Sequence, residues 1–539
     1  MTWPWAVGSG LGDAGRPLER TMRALAHWLV DPARFSALVL RMPLRHYQTT
    51  PLRTILHSVL HGRGREYLLV FPRQSGKNEA VAHLLAYLLN LYQRRGGNIV
   101  YGAIGDALGM GIERLEDRLD NAWNAGHWSR ANKPTRRLLG DAAVVFLSSH
   151  PMAHARGQTA HHLLVIDEAQ DQDAAHIEAV FTPMRAANNA TALYIGTVKT
   201  TSDFLWTKKR ELEAETLRDG HRRVFFVTPD QVTAEVPAYR DFLAAQVRKH
   251  GRHHPIVASE YYLEPIDAAG GLFPRRRRLL MRGSHPRADA PTADQTYIAT
   301  LDVAGQDEAT TDPIAQLANP ARDYTIAYIF RVVWPAPGAC TPGPTFEAVD
   351  VFVDHGSRHF ETTTDDLPPL VEILAAWLQA WQVAHLVADE SGVGQGLVSW
   401  LTAALGPGRV TGYDFAGRGR KASLGSRFLS LVETGRFRHW IDDEEEEGSA
   451  GWWFWRQVEA CTYDLPRDGI FDRDLQWSVP EAHKTHTAGG LVPTHDDRLL
   501  AAALIAEADR LIRQGDLRVG RAQSAIIPPV DPLQETPTW

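Results

Sequence analysis

Three clusters of residues in this chain have types and spacing that could do chemistry. The first is Phe71–Glu79, FPRQSGKNE. Backbone N–H groups around a glycine, followed by a lysine at a helix start, wrap and neutralise phosphates. Gly76 permits the close turn and Lys77 is the phosphate lysine. Arg73, Gln74, Ser75 and Asn78 complete the loop, and the helix opening near Asn78 points its first N–H groups at the anion. Two positions depart from the usual pattern. Phe71 stands where a first glycine belongs, and Asn78 replaces the Ser or Thr that holds magnesium, although an Asn carbonyl oxygen reaches a metal or its water. A Gly-Lys pair after a strand also arises by coincidence, so the loop alone does not decide.

The second cluster decides more. His162–Gln170, HLLVIDEAQ, places Asp167 and Glu168 after four consecutive apolar residues. An Asp there holds the shell of Mg2+, and a neighbouring Glu polarises the attacking water. The plainer role of the pair is to cap the next helix. With a phosphate loop upstream and a strand, Asn98–Ile104, intervening, the two clusters together predict ATP hydrolysis of the kind that drives mechanical work. Arg73 reads two ways, as a cation for the γ-phosphate or as a solvated loop charge. Gly196–Thr197 closes the next strand, either as a nucleotide-sensing position or as a simple turn.

The third cluster is acidic and lies far downstream. Asp302 ends the run YIATLD, Asp389 ends HLVAD, and Asp496 and Asp497 open the helical stretch DDRLLAAALI. Carboxylates that converge on two divalent ions hydrolyse phosphodiesters, one ion activating water and the other stabilising the leaving oxygen. Singly, each acid also reads as a turn former or helix cap. Asp497 is preferred over Asp496. Glu390 faces away from Asp389 if the strand continues, and His495 reads as a cap.

These clusters need two scaffolds. Up to about residue 230, apolar runs alternate with helical stretches: strands at Glu66–Phe71, Asn98–Ile104, Ala142–Leu147, Leu163–Asp167, Leu193–Thr197 and Val224–Thr228, and a helix from Asn78 to Leu91. That rhythm predicts an α/β domain with a mostly parallel sheet. Residues 251–295, rich in Pro, Gly and Arg, read as a linker. Tyr297–Asp302, Tyr324–Trp334 and Phe346–Asp354 then follow as three strands with no room for helical crossovers. After them come a helix (Leu370–Trp381), a strand (Ala384–Asp389), a helix (Leu397–Leu405), a strand (Val410–Phe415) and a last helix (Arg498–Arg513). That is the order of a ribonuclease-H-like domain with a mixed sheet. The expected domains are therefore 1–250, 296–518, and a loose tail at 519–539.

Composition sets the limits. At 539 residues the chain is too long for one core. Its 44% hydrophobic and 22% charged residues are those of a globular protein. Two cysteines form no disulfide framework. No secretory leader or membrane-length apolar run is apparent. A net charge of -7 gives no global pull on nucleic acid, so a DNA partner needs local basic patches. Arg275–Arg278 is one candidate patch and Lys208–Arg210 another; both also read as solvated runs.

The P-R-Q-x-G-K-N loop, the ARG that precedes LLVIDEA over Ala155–Ala169, and RHYQTTPLR upstream resemble the large terminase subunits of tailed bacteriophages, and the later acids fit too. The resemblance implies a P-loop ATPase of the additional-strand (ASCE) class followed by a nuclease. Gln48 would contact adenine, and Asp302, Asp389 and Asp497 would form the metal-binding acid triad. It implies ATP with Mg2+, or Mn2+ in the nuclease site, as cofactors. As partners it implies double-stranded DNA, a portal protein, a small terminase subunit, the procapsid and a homo-oligomeric ring, with no membrane, in the host cytoplasm. The alternative is a P-loop helicase or remodelling ATPase whose second domain binds nucleic acid without cutting it.

Overall fold

The computed structural model describes residues 31–153, 155, 157–201, 203–266, 269–303, 324–336, 338–339, 341–354, 360, 368–392, 394–465 and 471–519. The chain divides into two compact units. One comprises residues up to 244 with 255–267, the other 245–254 with 268 onward. The stretch 251–295, expected as a linker, is thus shared between the units. Arg156 of the ARG motif and the tail from residue 520 lie outside the described residues.

In the first unit, strand β1 (Glu66–Val70) is buried over its last four residues, as an apolar run with no polar face must be in a covered parallel sheet. The eight-stranded sheet has the order β3 (Trp128–Asn132), β4 (Thr135–Leu139), β5 (Ala142–Ser148), β2 (Gly97–Ala103), β6 (Leu163–Ile166), β7 (Thr191–Gly196), β1, β8 (Val224–Phe226). Strands from β5 to β8 in that order are parallel. The hairpin β3–β4 adds an antiparallel edge that its charged residues give no reason to expect.

The expected strand at Asn98–Ile104 forms as β2 and intervenes in sequence between the two phosphate motifs, but it is not the strand that separates them in the sheet. In the sheet β2 lies on the far side of β6, and β7 alone separates β6 from β1. All six residues of β7 are buried, which suits the central slot. Helix α1 (His46–Leu60) precedes β1. Helix α2 (Lys77–Tyr92) follows the loop and is buried almost all round, in keeping with its AVAHLLAYLL sequence.

The second unit has a six-stranded sheet. Its strands are β9 (Tyr297–Asp302), β10 (Thr325–Val333), β11 (Thr345–Asp354), β12 (His385–Asp389), β13 (Val410–Tyr413) and β14 (Phe437–Arg438), in the order β13-β12-β9-β10-β11-β14. The first three are antiparallel neighbours, whereas β12 and β13 run parallel to β9. This is the ribonuclease-H-like arrangement the strand order predicts. Leu301, Leu386, Leu397 and Leu401 pack in the core beneath it. Helix α3 (Arg420–Glu433) follows β13. The terminal helix, expected unbroken, is two helices that meet at Leu504, α4 (Asp497–Ala503) and α5 (Ile505–Gln514). No helix among the described residues is long and apolar enough to cross a membrane.

Candidate active sites

The phosphate loop owes its shape to two left-handed residues, Gln74 (φ 60°) and Gly76 (φ 91°). A side chain at Gly76 would also strike Gln48, whose Nε2 lies 2.8 Å from where a Cβ would stand. Gln48 accepts from the Arg45 N–H at 2.9 Å and donates to the Gly76 carbonyl at 2.9 Å. Tyr47 donates its hydroxyl to the Ser75 carbonyl at 2.7 Å, and the Ser75 hydroxyl donates to Pro72 at 2.6 Å. The start of α1 therefore braces the loop from beneath. Gln48 sits in that brace, with its amide spent on protein groups. Arg73 turns to Glu260, with Nη1 2.7 Å from a carboxylate oxygen. Its side chain is 58% exposed and pairs with that acid beside the loop.

Asp167 follows β6 and is fully buried. Its Oδ1 accepts from the Glu168 N–H at 2.8 Å, and its Oδ2 accepts from the Tyr101 hydroxyl at 2.5 Å and from Asn78 Nδ2 at 3.3 Å. Lys77 Nζ lies 3.2 Å from Glu168 and 3.9 Å from Asp167. Sequence reasoning missed Tyr101, whose place on β2 gave no chemical signal. Gly111 makes room for it: a Cβ there would stand 2.9 Å from the ring. Burial pushes the Asp167 carboxyl up, against the pull of Lys77, and the charge of Glu168 adds to the rise. Burial also raises Glu168, but Lys77 and the bonds from Gln170 and Lys77 outweigh it and hold the carboxyl low.

Gln170 is a second residue missed from sequence. Its Nε2 donates to Glu168 at 2.7 Å, and its Oε1 accepts from the Thr197 N–H at 3.1 Å. It ties the Glu to the end of β7, where Thr197 was expected to sense nucleotide. Glu168 itself adopts a left-handed backbone (φ 44°), a strained conformation of the kind that collects at functional positions.

In the second unit, β9 and β12 are parallel neighbours, with Leu301 opposite Ala388, so Asp302 and Asp389 leave the sheet side by side. Gly394 allows the turn after β12, since a Cβ there would fall 2.3 Å from the Asp389 carbonyl. Asp497 opens α4 and accepts from the Tyr324 N–H at 2.8 Å. Burial pushes Asp302 well above the ordinary carboxylate range, and the charges of Asp497, Asp389 and Asp496, in that order, push it further. Burial also raises Asp389, against the hydrogen bonds from Ser391.

Asp496 instead faces Lys421, 3.3 Å away. Asp497 is therefore the nearer electrostatic partner of Asp302. The acids share one field, yet among the described residues no three of His, Cys, Asp or Glu close to metal-holding geometry. The donor set is still of the right chemistry for hard cations, since oxygen ligands and unbalanced negative charge are what Mg2+ takes.

The basic runs are largely spent on internal pairs. Arg276 and Arg277 both bind Glu433, and Arg278 lies 3.7 Å from Glu459. Lys208 is buried among Glu66, Glu178 and Glu211, and Lys209 pairs with Glu213. Glu390 lies against Gly412 of the neighbouring strand β13.

The first unit thus has the strand order of an additional-strand P-loop ATPase, with loop and acid pair where that sheet would place them. The second has a ribonuclease-H-like sheet with acids at adjoining strand ends. No protein-family profile matches the sequence, and no curated protein does. Solved structures are similar in fold over most of the chain. A large terminase from a thermophilic bacteriophage covers 87% of this chain and 99% of its own, with 10% identity and a TM-score of 0.42. The HK97 bacteriophage large terminase covers 87% and 96%, at 13% identity and a TM-score of 0.34. The large terminase nuclease of phage G20c with bound magnesium covers 44% of this chain and 96% of its own, at 15% identity and a TM-score of 0.29. Likenesses this distant assign no role to a residue, so each role rests on the chain's own geometry.

Proposed function

We propose that this chain is the large subunit of a phage DNA-packaging terminase, a motor that hydrolyses ATP to translocate double-stranded DNA and a nuclease that cuts it. The observation that supports this best is the pairing, in one chain, of a lysine-and-carboxylate cluster behind a phosphate-type loop with a separate group of carboxylates at the strand ends of a second sheet. Lys77, Asn78, Asp167 and Glu168 meet at the strand ends of one sheet, and Asp302, Asp389 and Asp497, at the strand ends and helix start of another, lie within electrostatic reach of one another. A helicase would repeat an ATPase-like sheet in its second half. The order β13-β12-β9-β10-β11-β14 is not one.

In the first site, Lys77 exchanges its carboxylate partners for the β- and γ-phosphates of ATP, together with the loop N–H groups of Arg73 to Asn78. Releasing Glu168 from Lys77 frees it to take a proton from the attacking water. Gln170 keeps that carboxylate oriented and reports its state to Thr197. Asp167 and Asn78 would hold the Mg2+ shell. Because both Asp167 oxygens already accept hydrogen bonds, they suit a contact made through water. The cation supplies charge neutralisation of the triphosphate. Arg73 becomes available to phosphate only by leaving Glu260, and Gln48 reaches adenine only by loosening its brace on Gly76.

In the second site, Asp302, Asp389 and Asp497 would hold Mg2+ or Mn2+, with Asp496 adding to the field. The ions supply an activated water and stabilise the leaving oxygen. The thermophilic bacteriophage's large terminase is seen in complex with ADP and with ATP-γ-S, and the G20c nuclease with bound magnesium and cobalt, ligands of these same classes. The portal, a small subunit, the procapsid and a ring of copies in the host cytoplasm belong to the same proposal.

The test is a crossed assay on purified full-length protein, with ATP turnover and Mn2+-dependent plasmid cleavage measured side by side. Wild type performs both, Glu168→Gln loses only the first and Asp302→Asn only the second. Plasmid left intact by an ATP-hydrolysing wild type would sink the nuclease half and favour the remodelling ATPase.

A further inference from the structure

Arginine is unevenly spread in the second unit. A cavity of about 620 Å³ between the end of β13, the start of α3, the short helix Phe471–Asp474 and α5 is lined by Arg418, Arg420, Arg427, Arg473 and Arg510. Among the described residues, the only acids on its wall are Asp472 and Glu507. Glu507 is shared by Arg427 at 2.5 Å and Arg510 at 2.6 Å, and Arg473 pairs with its neighbour Asp474 at 3.1 Å. Arg418 and Arg420 are exposed and have no carboxylate partner among the described residues. Arg420 donates to the Asp414 carbonyl at 3.3 Å and stands over the Tyr413 ring at 5.6 Å. In a chain of net charge -7, two guanidinium groups without a carboxylate partner make this concave wall locally positive.

The cavity also adjoins a cleft whose lysine reaches the acid group. Gly419 and Arg473 line both the cavity and this cleft, of about 450 Å³, which holds Lys421 and Trp477. Lys421 Nζ stands over the Trp477 ring at 5.6 Å and reaches Asp496 at 3.3 Å. Its charge is also felt at Asp302. Cations therefore run from Arg418 and Arg420 to the edge of the acid group. Planar guanidinium groups match phosphate oxygens, and a ring beside a cation offers a surface to a base or sugar.

We propose that the arginine-lined cavity and its adjoining cleft form a track for the phosphodiester backbone of a nucleic acid, leading it to Asp302, Asp389 and Asp497. This rests on the nuclease reading of the second unit. Arg418 and Arg420 are positioning residues that engage phosphates flanking the cut, with Lys421 the last cation before the acids.

The test uses full-length protein and a short fluorescein-labelled duplex, with anisotropy read in EDTA over a range of NaCl. Replacing Arg418 and Arg420 together with Ala removes two phosphate contacts. The slope of log K against log [NaCl] should then become shallower by about 1.8, since each contact contributes about 0.9. Affinity should fall about tenfold or more at moderate salt, and the KM for cleavage should rise while kcat and ATP turnover hold. Arg418→Lys with Arg420→Lys should keep the slope, which a merely structural role would not require. Inorganic pyrophosphate is the second probe. Displacement only at concentrations that act as general salt supports a backbone track, whereas specific displacement at micromolar levels overturns it in favour of a free-phosphate site. A wild type that cuts DNA, with an alanine variant of equal slope and KM, overturns the track alone. A wild type that neither binds nor cuts DNA overturns the track and the reading beneath it.

Discussion

The two acid sites use the same residue type in opposite electrostatic states. In the first unit Asp167 and Glu168 enclose Lys77, so the protein supplies its own counter-charge. In the second, burial raises Asp302 and the charges of Asp497, Asp389 and Asp496 add to the rise, while Lys421, which eases it, is paired with Asp496. The first site is a closed balance that an incoming polyanion opens by taking the lysine. The second gathers carboxylates around a buried one, with Arg498 acting on Asp497 and Lys421 on Asp302, and added cations would ease the repulsion that remains.

That contrast breaks most visibly at Glu168. Glu168→Gln removes the water-activating carboxylate and should lower ATP turnover by about 10²- to 10⁴-fold, the range for a lost general base. Nucleotide should still bind, because Lys77 loses a competitor. A variant that fails to bind a fluorescent ATP analogue would show that the pair holds the loop instead. The second site should respond next. Asp302→Asn should lower cleavage by more than the roughly 10- to 100-fold typical of lost outer-shell support, with ATP turnover unchanged. Titrating Mn2+ should show weakened metal dependence.

Acidity separates the units more gently. His254 and His439 in the second unit are fully buried, and burial depresses them to about 4 and about 3. Their folded pKa lies below the unfolded value of about 6.5, so the stability they contribute is present above pH 6.5 and is lost as pH falls towards 4. Between pH 7 and 5 each should cost about 2 kcal/mol. In the first unit, burial raises Asp203 to about 6. Its folded pKa lies above the unfolded one, so the same acidification regains about 1 kcal/mol. Hydrogen exchange at pH 7 and 5 should therefore show protection falling in the second unit and not in the first. Equal losses would mean the histidines find partners on protonation.

Much of this was legible in the sequence, for a physical reason in each case. LLVF and LLVID read as buried strands because nothing polar interrupts them, and Gly76–Lys77 reads as a phosphate turn once the Asp167–Glu168 pair follows it downstream. Asp302 and Asp389 were legible as strand ends. What was not legible was lateral order. Nothing in Asn98–Ile104 or Leu193–Thr197 says which lies beside β1, and the sheet chose the latter. The supports were equally silent. Tyr101 and Gln170 are ordinary residues on a strand and after it, and only the folded chain brings them to Asp167 and Glu168. The arginines at 275–278 looked available because Glu433, more than 150 residues away, cannot be matched to them in one dimension.

The smallest expected effect concerns Asn78, the loop's departure from the usual Ser or Thr. Asp167 Oδ2 accepts from Asn78 and Tyr101 together, so this site supports its acid with an amide and a phenol where a hydroxyl is usual. Each donor then covers part of the other's loss. Asn78→Ala and Tyr101→Phe should each lower kcat/KM for ATP by about tenfold at limiting Mg2+, the lower end for outer-shell partners. The double variant should fall by less than the product, because both act on one oxygen. Asn78→Thr restores a hydroxyl in reach of the same acid and should stay within about threefold of wild type. Independent, multiplicative losses would mean that Asn78 and Tyr101 serve different groups. A threonine as damaging as the alanine would mean that the amide carbonyl, which only Asn offers, is what the magnesium shell needs. In either case the first site would no longer be the one that carries its own balance, and its difference from the acid site in the second unit would narrow.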